Sequence, residues 1–174
     1  MFEGKSNNEQ VYMTRRYPNL RQKQLQRDSK ISQKIAKAWD EEQNPKKVLD
    51  IFVKESKNLS NERYWETLRS VWVVCGKLET IPIFRKLFTS NRPKRYYFSS
   101  PEESKILAEM PDKIEVYRAC DDEEDGGLSW TTSWDYVLQY RDTFSKKIIL
   151  TKTIDKSKVF AFINRNKESE ILIL

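Results

Sequence analysis

The sequence predicts an α+β protein in which a run of helices precedes a compact strand-rich unit. Between residues 29 and 110, apolar residues recur at helical spacing. After Pro111 the period shortens to two, and β-branched and aromatic residues dominate. Hydrophobic residues make up 38% of the 174 residues, and the 12% that are aromatic argue against wholesale disorder.

Residues 1–28, with Tyr12, Arg15, Arg16, Tyr17, Arg21, Lys23 and Arg27, show no clear period and read as an extended or partly helical basic arm. From Ser29, the positions Ile31, Ile35, Ala38 and Trp39 lie on one helical face. Asn44-Pro45 opens a second helix through Val48, Ile51, Phe52 and Leu59. Leu59-Ser60-Asn61 breaks it. Tyr64, Trp65, Leu68, Val71, Trp72, Cys75 and Leu78 then give the strongest helical stripe in the chain, expected to be core. Ile81 to Phe88 reads as a short helix, followed by a basic, aromatic stretch from Arg92 to Phe98. Ser100-Pro101-Glu102-Glu103 has the N-cap, N1 and N3 residues of a helix start, and that helix stops at Pro111. Strands are expected at 114–120, 128–131, 148–153, 158–163 and 170–174. A short helix capped by Ser133 lies among them. The expected organisation is a basic arm and helix over 1–44 and a domain over 45–174, helical to 110 and strand-rich from 111.

The chain has no histidine, which excludes Ser–His–Asp and Cys–His catalysis and removes the commonest zinc ligand. No glycine-rich phosphate loop is present. Two cysteines, Cys75 and Cys120, are too few for a disulfide framework. No apolar run is long enough to span a bilayer, and Met1 to Gln10 carries no apolar signal core. A cytoplasmic location without membrane association is therefore expected, as is function without a metal. The charge is uneven. Residues 1–98 hold 21 Lys and Arg against 11 Asp and Glu, a net of +10; residues 99–174 hold 11 against 15, a net of −4. The basic half reads either as solvated helix faces or as a surface for nucleic acid or an acidic protein.

Three segments of the strand-rich half stand out. Val116-Tyr117-Arg118-Ala119 puts an arginine on a strand. Gly127-Leu128-Ser129-Trp130-Thr131 is a hydroxyl-rich strand running into a helix. Glu168-Ser169-Glu170-Ile171 places two carboxylates at i, i+2 before an apolar strand. In order and spacing they resemble the Arg–Ser–Glu pattern of mono-ADP-ribosyltransferases. The likeness is closest to a compact phage and bacterial branch whose second motif reads Gly-x-Ser-Trp-Thr. The short gap from Arg118 to Ser129 implies a reduced loop over the cofactor.

The resemblance implies a split β-sheet core, NAD as substrate and transfer of ADP-ribose to a macromolecular acceptor, either RNA or DNA or a protein arginine. It also implies a toxin or phage-conflict effector, with a neutralising antitoxin-type partner. Arg118 would grip the pyrophosphate, because a guanidinium offers a charged, bidentate fork. Glu170 would stabilise the oxocarbenium-like state formed as nicotinamide leaves. Ser129 would position Glu170 and the ribose, and Thr131 would order the strand. Glu168, expected on the same strand face as Glu170, would orient or deprotonate the acceptor. Trp130 and Tyr117 are candidates for stacking on nicotinamide or adenine. The competing reading is a non-catalytic nucleic-acid-binding or partner-binding protein on a degenerate transferase fold. It needs only the basic region.

Overall fold

The computed structural model describes residues 18–76, 81–124 and 126–174. The first part of the expected basic arm, with Tyr12, Arg15, Arg16 and Tyr17, lies outside the described residues, as does Leu78. Two compact units are present, dividing between Cys75 and Gly76. The sequence placed its boundary after Asn44. The structure moves it because the first helix packs on the second, and the second on the third, as one core.

In the first unit, α1 spans Pro18–Asp40, α2 Pro45–Glu55 and α3 Asn61–Cys75. Helix α1 starts eleven residues ahead of the predicted periodicity, because its N-terminal half is held by polar contacts. Gln24 donates to the Asn58 carbonyl at 2.9 Å. Asp28, buried, accepts from the backbone N–H of Ser60 at 3.0 Å and from its hydroxyl at 2.6 Å. Helix α2 begins as expected, with Pro45 in its first turn and the Asn44 side chain accepting from Lys47 N–H at 2.9 Å. The aromatic stripe of α3 is core: Tyr64, Trp65 and Trp72 are all buried, and Phe52 of α2 meets Tyr64 at 5.4 Å between ring centroids.

In the second unit, α4 (Ile81–Phe88) and a 3₁₀ turn (Arg95–Phe98) precede α5 (Pro101–Glu109). Strands β1 (Lys113–Cys120) and β2 (Ser129–Thr131) follow, then α6 (Trp134–Thr143), β3 (Ile148–Asp155), β4 (Val159–Ile163) and β5 (Glu170–Ile173). The five strands make one antiparallel sheet in the order β3-β1-β2-β5-β4. An α+β architecture results, with helices first and strands after.

Helix α5 carries the capping box read from the sequence, with Ser100 and Glu103 each bonding the other's backbone N–H. The second carboxylate oxygen of Glu103, itself buried, accepts from Asn164 N–H at 2.9 Å and so ties α5 to the end of β4. One face of the sheet forms a core of Ile114, Val116, Trp130, Ile154, Phe162 and Ile171, with Leu107 and Met110 of α5 packed against it. Pairing along the sheet is unequal. Strands β1 and β3 match over their whole length, from Lys113 with Asp155 to Cys120 with Ile148. Strands β1 and β2 share a single register pair, Tyr117 with Thr131. The sheet is therefore pinched between β1 and β2, with two strands on one side and three on the other.

Candidate active site

Strand alternation decides which predicted residues meet. Opposed residues in an antiparallel pair project to the same face. Tyr117 pairs with Thr131, and Thr131 with Glu170, so Tyr117, Ser129, Thr131 and Glu170 share one face. On that face the Ser129 hydroxyl donates to Glu170 Oε1 at 2.5 Å. Both residues are half-buried. The bond is short and charge-assisted, so it holds the carboxylate in one orientation. It also occupies the serine proton, which suits Ser129 to positioning rather than to nucleophilic attack.

Arg118 lies on the opposite face. It pairs with Leu150, and its neighbours there are Val116 and Lys152. Its guanidinium reaches along the pinch, where the β1–β2 ladder stops, and Nη1 donates to the carbonyl of Ser129 at 2.8 Å. A Cβ built on Gly127 would fall 2.0 Å from Arg118 Cζ. Gly127 is thus the floor on which the guanidinium rests. The bidentate fork foreseen for a pyrophosphate has at least one arm engaged on the strand that carries Ser129.

Thr131 is buried, and its hydroxyl ties three segments together. It donates to the Glu168 carbonyl at 2.6 Å and accepts from Ser133 N–H at 3.0 Å. Ser133 in turn caps α6 through Tyr136 N–H at 3.1 Å. The start of α6 is thereby anchored beside the two glutamates.

Glu168 does not stand on the strand with Glu170, which corrects the i, i+2 expectation. Strand β5 begins at Glu170, and Ser169 takes a left-handed φ of 46°, after Asn166 at 51° and Lys167 at 61°. Such a kink breaks the two-residue alternation. Arg165 instead holds the Glu168 carboxylate at 3.3 Å.

Trp130 is 6% exposed within the sheet core. Its indole N–H donates to the Gly127 carbonyl at 3.1 Å, and the Lys152 ammonium sits 3.7 Å from its ring centroid. The ring is committed to packing and to that cation, so it does not offer the open stacking face foreseen for it. Burial, then the nearby Arg118 charge, lowers the Lys152 pKa. Tyr117 is half-buried on the Ser129 face. It donates to Glu115 Oε2 at 2.5 Å and meets Trp134 of α6 edge-on at 5.0 Å.

One residue of this site was not singled out by sequence reasoning. Tyr136, in the first turn of α6, is half-buried, and its hydroxyl is pushed up to about 12 by burial and then by the charges of Glu168, Tyr140 and Glu170. Both predicted glutamates therefore act on one phenol. The signal available in the sequence was its place three residues after the Ser133 cap.

Two recesses, of about 330 Å³ in the helical unit and about 360 Å³ in the second unit, are lined by none of Arg118, Ser129 or Glu170. Among the described residues, no group of three or more Cys, Asp or Glu is arranged to hold a metal ion, and no helix is long and apolar enough to cross a membrane. Cys75 and Cys120 are both buried and not joined in a disulfide; burial pushes the Cys75 thiol up to about 11. No protein-family model matches the chain, and neither a curated protein nor a solved structure matches it.

Proposed function

We propose that this protein is an ADP-ribosyltransferase that transfers ADP-ribose from NAD to a macromolecular acceptor, a nucleic acid or a protein arginine, as an effector in phage or bacterial conflict. The observation that carries the reading is the Ser129–Glu170 pair, a carboxylate fixed at 2.5 Å by a hydroxyl on the next strand. When the nicotinamide–ribose bond breaks, nicotinamide leaves with the bonding electrons and positive charge develops at the ribose C1′ and ring oxygen. A preorganised carboxylate stabilises that charge without reorganising. Glu170 does this while accepting from a ribose hydroxyl. Glu168, on the adjoining turn, takes the proton that the acceptor loses as it attacks C1′.

The pinched sheet also supports the reading, because a divided sheet is what the Arg–Ser–Glu resemblance implies. Arg118 contributes here by fixing the strand of Ser129, at the point where backbone pairing stops.

The test is release of nicotinamide from NAD, and labelling of a whole-cell lysate by labelled NAD, followed by separate protease and nuclease digestion of the product. Glu170→Gln keeps the shape and removes the charge. Turnover should fall by roughly 10²–10³, the scale of removing one electrostatic transition-state interaction, with an unchanged circular-dichroism spectrum. Wild-type turnover in a folded Glu170→Gln protein would sink the assignment. So would the absence of NAD consumption by the native protein in the presence of lysate.

A further inference from the structure

The segment from Arg85 to Phe98 holds five Lys and Arg and no acid, beside a C-terminal portion (99–174) whose net charge is −4. The positive charge is therefore concentrated. At its end, the 3₁₀ turn displays two tyrosines side by side, with ring centroids 4.9 Å apart and planes tilted by 32°. Tyr96 is 69% exposed, the most open large apolar side chain among the described residues, and Tyr97 is 37% exposed. This is not a loose loop. Phe98 is buried and packs against Phe88 of α4 and Phe160 of β4 at 5.5 and 5.2 Å. Arg95 lies over the Phe160 ring at 5.2 Å. Lys94 enters the turn with a left-handed φ of 67°, uncommon for a residue other than glycine. Beside the rings is a recess of about 360 Å³ lined by Arg95, Tyr96, Ser99, Ser104, Leu107 and Phe160. That volume lies in the lower part of the range for small-molecule sites, roughly 300–1,000 Å³.

An exposed aromatic pair on a rigid base, in a cation-rich segment with Arg95 beside it, has the two components that single-stranded nucleic acid requires. These are π-faces for unpaired bases and positive charge for the phosphates between them. A duplex hides its base faces and could use only the charge. An acidic protein would use the charge but gives no account of two open rings. We propose that the Arg92–Phe98 turn is a binding platform for single-stranded nucleic acid, with bases stacking on Tyr96 and Tyr97 and Arg95, which lines the recess beside Tyr96, attracting the phosphates. The platform backs onto β4, which pairs with the strand that carries Glu170. Resting on the proposed transferase activity, it therefore selects nucleic acid as the acceptor.

The experiment measures binding of a fluorescently labelled oligouridylate to the full-length protein by anisotropy, without NAD, against a duplex of matched length. The native protein should prefer the single strand. Tyr96→Ala should weaken single-strand binding roughly 5- to 150-fold, the span expected when one base no longer stacks, and leave duplex binding nearly unchanged. Tyr96→Phe should restore binding, since it keeps the π-face. Arg95→Gln should flatten the salt dependence of log Kd by roughly 0.7, as one phosphate is no longer neutralised. Equal affinity for both nucleic acids, unchanged single-strand affinity in Tyr96→Ala, or a loss in Tyr96→Phe as large as in Tyr96→Ala would each overturn the platform. Binding is measured without NAD, so it is read apart from catalysis. Failure of the platform thus leaves NAD cleavage standing, and failure of NAD cleavage leaves the platform standing.

Discussion

Gly127→Ala is the substitution on which the geometry of the pinch can be judged. The position does not require glycine for its backbone, because no glycine among the described residues has a positive φ. It requires glycine for space. An added Cβ would lie 2.0 Å from Arg118 Cζ and 2.2 Å from both Nε and Nη2, so the guanidinium must retreat by about 1 Å or more to reach tolerable contact. That retreat breaks the 2.8 Å bond from Nη1 to the Ser129 carbonyl. A hydrogen bond from a charged donor contributes about 1.5–3 kcal/mol. Glycine-to-alanine replacement at a tolerated backbone conformation returns about 0.4–1 kcal/mol through the unfolded chain. The net destabilisation should be about 0.5–2.6 kcal/mol, read from urea denaturation. Hydrogen exchange should rise selectively in the peptide that carries β2. In an Arg118→Ala background the clash has no partner, and the same Gly127→Ala change should be neutral or slightly stabilising. The coupling in this double-mutant cycle should therefore be about 2 kcal/mol. An equal cost of Gly127→Ala in both backgrounds, or no cost in the native protein, would refute the reasoning.

Ser129→Ala removes the donor that orients Glu170, and nicotinamide release should fall about tenfold in kcat with little change in KM, as expected for an interaction realised in the transition state. Glu103→Ala leaves the N–H groups of Ser100 and Asn164 without their acceptor in a buried site; urea denaturation should show a loss of about 2–4 kcal/mol, with Glu103→Gln in between. Tyr136 has a folded pKa raised from 10.0 to about 12. Its contribution to stability is thus present below about pH 10 and lost as pH rises through about 12. Tyr136→Phe should flatten the stability profile in that alkaline window, and an unchanged profile would remove the phenol from the site.

Much of the fold was legible because its signals are local. Asn44-Pro45 and Ser100-Pro101-Glu102-Glu103 announce helix starts through groups three residues apart, and the Tyr64 to Cys75 stripe announces a buried face. What escaped was set by distant partners or by single dihedrals. The first half of α1 is held by Gln24 and Asp28 bonding to Asn58 and Ser60, a polar seam that a search for apolar period passes over. The face occupied by Arg118 depends on how β1 registers with β2 and β3, which a strand's own alternation does not reveal. That register sets Arg118 opposite to Ser129 and Glu170. Glu168 falls outside the strand because Ser169 takes a left-handed conformation, of which its residue type gives no warning. The Ser129 to Glu170 contact, by contrast, needed only that two strands pair with both side chains on one face.

Strand β4 carries a consequence for how this protein would fail. Val159-Phe160-Ala161-Phe162-Ile163 lies at the sheet edge with every residue buried, which is possible only because helices cover it. Five apolar residues without proline, glycine or charge form the kind of segment that seeds cross-β stacking once its edge is bare. Lys158 and Arg165 flank it as gatekeepers, and Glu103 fastens α5 to its end through Asn164. Loosening α5 would therefore do more than lower stability. It would uncover a sticky template, and the damage would appear as concentration-dependent insolubility before it appeared as loss of secondary structure.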